Sequence, residues 1–118
     1  MVVEIHGGPS AAVTPHYVAP YDEANFPVVT WLRKGYFVFL ANPRGSYGQG
    51  EAFAKANVRD FGGGDLRDIM AGIDKVEATA PVDDARLGVF GHSYGGYMTM
   101  WTVTHSHRFA AAISGAQR

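Results

Sequence analysis

Four short apolar runs punctuate the chain, each rich in β-forming residues and bounded by Gly, Pro or Asn: Val2 to His6, Tyr36 to Ala41, Leu87 to Phe90, and Ala110 to Ser114. None shows the strict polar alternation that one solvated face imposes, so each predicts a strand covered on both faces. Helical patterns fall between them. Phe26 to Lys34 is the first, with Pro27 in an early position and Gly35 as the C-terminal stop. The second opens at Asp65 and carries Leu66, Ile69, Met70, Ile73 and Val76, one apolar stripe at helical spacing. Asp65 suits its N-cap, and Asp68 adds negative charge to the first turn. The third runs from about Tyr94 to His105 and begins directly after Ser93. Trp31, Met98, Met100 and Trp101 read as helix packing. Asp83 and Asp84 fit a turn before the third strand.

The predicted order is therefore β-α-β-α-β-α-β. This is an α/β pattern: a parallel sheet with right-handed crossovers and helices on both faces. Four such strands alone would leave two apolar edges open, a liability in a complete protein. Residues 1–118 are accordingly expected to be part of one larger domain, truncated at both ends. A small stand-alone fold is the alternative.

Composition narrows the function more than the fold. The chain has 118 residues, enough for one domain, with 47% hydrophobic and 18% charged residues, a globular balance. The net charge is −1 with no run of like charges, which favours neither nucleic acid nor an anionic membrane surface as partner. The apolar runs are too short to span a bilayer. No signal peptide is visible, and a cytoplasmic location is the default expectation. The absence of cysteine excludes disulfides, thiol catalysis and Cys-ligated metals. There is no phosphate-binding glycine loop with a lysine and no His/Asp cluster at metal spacing, so neither cofactor nor metal is expected.

The chemistry concentrates in Leu87-Gly88-Val89-Phe90-Gly91-His92-Ser93-Tyr94-Gly95-Gly96. Here Gly91-x-Ser93-x-Gly95 stands between a predicted strand and a predicted helix, the setting of a nucleophile elbow. The turn is sharp enough to strain Ser93, and side chains at 91 and 95 would collide with the neighbouring strand and helix. The serine hydroxyl would stand at the C-terminal edge of the sheet, with the following N–H groups aimed where an oxyanion forms. A second segment, His6-Gly7-Gly8-Pro9, follows the first strand. In this fold that loop supplies the other oxyanion donor, so Gly8 N–H and Tyr94 N–H form the expected pair. His6, His92 and Tyr97 are candidates for the substrate pocket, with Tyr97 equally readable as core. Arg44 is expected to pair with a carboxylate and brace its loop above the sheet, with a substrate-carboxylate contact as the alternative.

Three blocks together resemble the catalytic domain of the prolyl oligopeptidase family of serine peptidases. They are His6-Gly7-Gly8-Pro9, Asn42-Pro43-Arg44-Gly45-Ser46-Tyr47-Gly48-Gln49-Gly50, and Gly91-His92-Ser93-Tyr94-Gly95-Gly96-Tyr97. Phe61-Gly62-Gly63-Gly64-Asp65 through Asp74 is similar as well. Within the family, the acylaminoacyl-peptidase and dipeptidyl-peptidase-like branches are the most alike. The resemblance implies an α/β-hydrolase fold, a peptide substrate, Ser93 as nucleophile, and Gly8 and Tyr94 as oxyanion donors. Other branches place a tyrosine at the position of His6, and its hydroxyl joins the oxyanion hole.

A serine nucleophile needs a base, and the base needs an orienting carboxylate. In α/β-hydrolases both follow the serine. All 11 acidic residues of this chain precede Ser93. His105 would lie about 18 Å from Ser93 along the helix axis at about 1.5 Å per residue, out of hydrogen-bond reach. His105 and His107 therefore read as solvent-facing or helix-capping residues. His16 reads as a loop residue, His92 as a pocket wall, and His6 as the sole local candidate for a base. The expected machinery is the nucleophile and oxyanion half of a serine peptidase, with Asp and His supplied by a further segment or a partner. Partners would be that remainder or a second copy. A carboxylesterase of the same fold and a catalytically inactive fragment are the competing readings.

Overall fold

A computed structural model describes residues 1–15, 18, 22 and 26–115; His16 lies outside them. Four strands form one parallel sheet: β1 (Val2–Ile5), β2 (Val38–Ala41), β3 (Gly88–Gly91) and β4 (Ala111–Ser114), in the order β2-β1-β3-β4. The helices are α1 (Val28–Arg33), α2 (Glu51–Ala54), α3 (Gly64–Glu77) and α4 (Tyr94–His105), with a 3₁₀ turn at Asp84–Arg86. The predicted strands and the three long helices all form. α2 was not foreseen: four residues are too few to show a periodicity.

The chain leaves β1 toward β2 but crosses back over β1 to reach β3 and then β4. With right-handed crossovers, reversing the direction of travel moves the connecting helix to the other face. The packing follows this rule. Val3, Ile5 and Val89 turn to the face covered by Ile69 and Ile73 of α3 and Met98 of α4, all buried in one cluster. The register partners Glu4 and Phe90 point to the opposite face. There Trp31 of α1 and Phe26 meet the Phe90 ring edge-on, with centroids 5.3 and 6.3 Å away.

The first face is closed. The predicted α3 stripe delivers Ile69 and Ile73 fully buried, flanked by partly buried Leu66, Met70 and Val76. Arg108, just ahead of β4, donates to Asp74 and Glu77 of α3 (2.5 Å each) and to Asp84 of the 3₁₀ turn (2.9 Å). Asp83 caps that turn by accepting from Ala85 N–H. Among the described residues, the second face is open. Val2, Trp31, Phe90 and Ile113 line a groove of about 420 Å³, and all four β4 residues are exposed.

Two expectations need correction. Met100 does not pack; it is exposed on the outer side of α4. Asp65 is not the N-cap of α3. Gly63 holds that position, and the Asp60 carboxylate accepts the Gly64 N–H at 2.8 Å. Asp65 lies two residues beyond that cap, fully buried, and turned toward Tyr94.

Candidate active site

Register places the site. Ile5 pairs with Ala41 and with Gly91, and Gly91 pairs with Ser114. All four strands therefore end at one level, and the loops that follow share one edge. β1 and β3 flank the point where chain direction reverses, the crevice in which open α/β sheets bind ligands.

The elbow forms as its spacing predicts. Ser93 has φ 58° and ψ −122°, a region that a non-glycine residue occupies at a cost of order 1–3 kcal/mol. Its side chain is exposed at the edge of the sheet. A Cβ on Gly95 would lie 1.8 Å from the Ile5 carbonyl oxygen, and one on Gly91 would lie 2.2 Å from the Gly95 carbonyl oxygen. Backbone therefore crosses backbone at these two positions, and only glycine fits. α4 starts at Tyr94, so its first N–H groups open onto the space beside Ser93.

The glycine loop after β1 runs alongside. A Cβ on Gly7 would meet Ser93 Cβ at 3.3 Å and Ser93 Oγ at 3.8 Å. Gly8 adopts φ 125°. The structure thus brings Gly7 against Ser93, with Gly8 next to Gly7 and Tyr94 next to Ser93 along the chain. His6 is buried behind them. Its Nδ1 lies 2.6 Å from the Gly7 carbonyl oxygen, and its Nε2 lies 2.8 Å from Ser46 Oγ. A carbonyl can only accept, so in the neutral ring Nδ1 carries the proton and Nε2 accepts from the Ser46 hydroxyl. Both ring nitrogens are engaged away from Ser93. The rest of the loop is tied to the same block: Asn42 exchanges two hydrogen bonds with the Val13 backbone (2.8 and 2.7 Å), and Tyr47 N–H reaches Ala11 O at 3.1 Å.

That block is itself anchored as its sequence suggested. Arg44 donates through Nε and Nη2 to Asp68 at 2.8 Å each, and its backbone N–H reaches the same carboxylate at 2.9 Å. The arginine holds the Asp68 carboxyl below its ordinary range. The partners of Ser46 and Asp65, His6 and Tyr94, gave no signal in the spacing of the sequence, because they are set by the fold.

Tyr94 and Tyr97 begin an aromatic series along α4. Phe61 meets Tyr94 edge-on at 5.2 Å; Tyr97 lies 5.6 Å from Tyr94 and stacks on Trp101, and Trp101 stacks on His105 at 3.9 Å. Tyr94 Oη donates to the buried Asp65 carboxylate at 2.5 Å. Burial, and then that carboxylate, raise the phenol far above its ordinary pKa. His92 is half-buried and lies beside Gly115. His105 and His107 are exposed at and beyond the end of α4, remote from the elbow. Among the described residues no group of three or more His, Cys, Asp or Glu side chains converges, and no helix is long and apolar enough to cross a membrane.

Residues 23–117 match the model of the prolyl oligopeptidase family. The chain belongs to that family. An uncharacterized peptidase of Bacillus subtilis, YuxL, is 41% identical over 115 residues, spanning 97% of this chain and 16% of the relative. Dipeptidyl-peptidase 5 of Schizosaccharomyces pombe is 32% identical over 106 residues, spanning 89% of this chain and 15% of its own length. Among solved structures, acylaminoacyl peptidase of Pyrococcus horikoshii superposes with a TM-score of 0.86 at 37% identity, covering 96% of this chain and 18% of that protein. The chain therefore spans less than a fifth of each relative's length. The fold is that of the family's α/β-hydrolase domain, as the three sequence blocks implied.

Proposed function

We infer that this chain carries the nucleophile and oxyanion half of a serine peptidase. The observation that supports the reading most strongly is the backbone of Ser93, an exposed serine in a positive-φ turn with a glycine loop packed against its side chain. In the proposed reaction, Ser93 Oγ attacks the scissile carbonyl carbon and its proton passes to a base. The Gly8 and Tyr94 N–H groups stabilise the oxyanion. The tetrahedral species collapses, the C–N bond breaks, and the amine leaves with the proton from the base. Water then hydrolyses the acyl-serine by the same route.

Neither ring nitrogen of His6 is placed to serve as that base, and no carboxylate follows Ser93 in the sequence. The base and its orienting acid are assigned to residues outside these 118, in the same polypeptide or a partner. The isolated chain is therefore inactive in this account. His92, beside Ser93, is assigned to the wall of the substrate pocket; Tyr97, one helical turn further on and packed against the core, is a weaker candidate for that wall.

The kinship with peptidases favours amide over ester substrates. The test is turnover by the full-length protein of a peptide anilide against a simple ester with the same acyl group. A kcat/KM for the anilide lost in Ser93→Ala supports the reading. Ester hydrolysis without measurable anilide hydrolysis would instead make the protein a carboxylesterase.

A further inference from the structure

The residue that follows the nucleophile is anchored in the interior by its side chain. The Tyr94 phenol reaches from α4 to α3 and donates to Asp65 Oδ2 at 2.5 Å. The other oxygen of that carboxylate accepts the Leu66 N–H at 2.9 Å. Asp65 is fully buried and is the second residue of α3, where the helix N-terminus favours negative charge. Burying a carboxylate is costly, and a leucine would fill a similar volume without that cost. What this carboxylate holds is the residue whose N–H was assigned above as an oxyanion donor.

The hold bears on that donor through backbone geometry. Gly91 and Gly95 are clamped by backbone contacts, and the Ser93–Tyr94 peptide lies between them. Ser93 ψ, at −122°, sets the plane of that peptide. Strain of the kind Ser93 carries persists only where the surroundings over-determine it. Turning the peptide would relieve the strain and swing the Tyr94 N–H away from the oxyanion. One restraint is the backbone bond from Tyr97 N–H to Ser93 O at 3.1 Å. The other is the Tyr94 side chain. It has two rotatable bonds, so a ring held at its far end restricts its own Cα. Phe61 and Tyr97 flank that ring, with centroids 5.2 and 5.6 Å away. The raised pKa of the phenol keeps its proton in place throughout the neutral range.

We propose that Asp65 is a positioning residue of the active site: by accepting from the Tyr94 phenol, it keeps the Ser93–Tyr94 peptide turned so that the Tyr94 N–H meets the oxyanion. This rests on the serine-hydrolase reading. It gives Asp65 no part in proton transfer and no contact with substrate.

The test uses the full-length protein. Active serines are counted by end-point reaction with a fluorophosphonate, so that kcat refers to folded enzyme. Tyr94→Phe and Asp65→Leu break the same hydrogen bond from opposite ends. Losing a whole oxyanion donor costs about 10²–10³ in kcat, and misaiming one is expected to cost about tenfold in each variant. KM for the peptide anilide stays within about twofold, because the ground state makes little use of the hole. Affinity for a peptide aldehyde, whose adduct with Ser93 places an oxyanion there, falls by the same factor as kcat. The double variant stays within about twofold of either single one, because both residues act through one bond. Asp65→Asn recovers most of the loss, since a tyrosine hydroxyl donates or accepts and so meets either end of the amide. Tyr94→Phe keeps the ring and keeps the test open if Asp65→Leu does not fold.

A lower melting temperature with full kcat per titrated serine would show a merely structural role and overturn the proposal. So would losses that multiply in the double variant, or a rise in KM without a fall in kcat. A wild type that takes up no fluorophosphonate and cleaves no anilide would overturn the hydrolase reading itself, which separates the two failures.

Discussion

Two loops leave adjacent strands at the same edge of the sheet, and they are held in different ways. The elbow after β3 is fixed by backbone. Gly95 lies against the Ile5 carbonyl, Gly91 against the Gly95 carbonyl, and Ser93 is strained between them. The glycine loop after β1 is fixed by side chains, through His6 to Ser46 and through Asn42 to Val13. The nucleophile thus sits on a turn that cannot move without moving the sheet. Its proposed oxyanion partner sits on a turn held by hydrogen bonds to a neighbouring loop.

The sharpest way to test that contrast is one methyl group in each loop. In Gly95→Ala the added carbon would stand 1.8 Å from a backbone oxygen of the central strand. Neither partner can rotate away, so stability is expected to fall by about 3 kcal/mol, seen as a lower urea midpoint. In Gly8→Ala the methyl would first meet its own loop, Ser10 N at 2.6 Å, at φ 125°. The loop can yield, so the expected stability loss is about 1–2 kcal/mol. Its displaced N–H should instead lower kcat by about 100-fold. If both variants lost stability equally, the two loops would be equally embedded in the fold and the distinction would fail.

These differences also explain what the sequence made legible. The elbow constraint is local: five residues, Gly91 to Gly95, contain both the cause of the turn and its consequence. The α3 stripe was legible for the same reason, since helical spacing alone brings Ile69 and Ile73 to one face. The hold on the glycine loop was not. His6 and Ser46 are 40 positions apart, and only the register of β1 against β2 brings their loops together. Asp65 was assigned to a cap because its position just before an apolar stripe is where caps occur. Its contact with Tyr94 depends on how α3 lies against α4, which no local pattern encodes. Met100 was assigned to packing on residue type, and the geometry of α4 turned it to solvent.

A smaller effect probes the brace beneath the glycine loop. Asp68 is held below its ordinary pKa, first by the Arg44 side chain. A carboxyl depressed in the folded state stabilises fully above its unfolded value of about 4 and loses that contribution as pH falls through the folded value. Asp68→Asn is therefore expected to cost about 1–2 kcal/mol near neutral pH, a modest figure because both partners are partly exposed. The wild-type advantage should shrink on acidification below about pH 4. Urea melts of both proteins at several pH values would show the convergence. A gap that stayed constant down to low pH would mean that the charge of Asp68 is not what anchors the block.

The central claim is that Ser93 is the nucleophile of the complete enzyme. The direct measurement is reaction of the full-length protein with a fluorophosphonate probe, followed by peptide mass spectrometry. The account predicts a single phosphonylated residue at Ser93 and no adduct in Ser93→Ala. An adduct on another serine, or none on a folded wild-type protein, would contradict it.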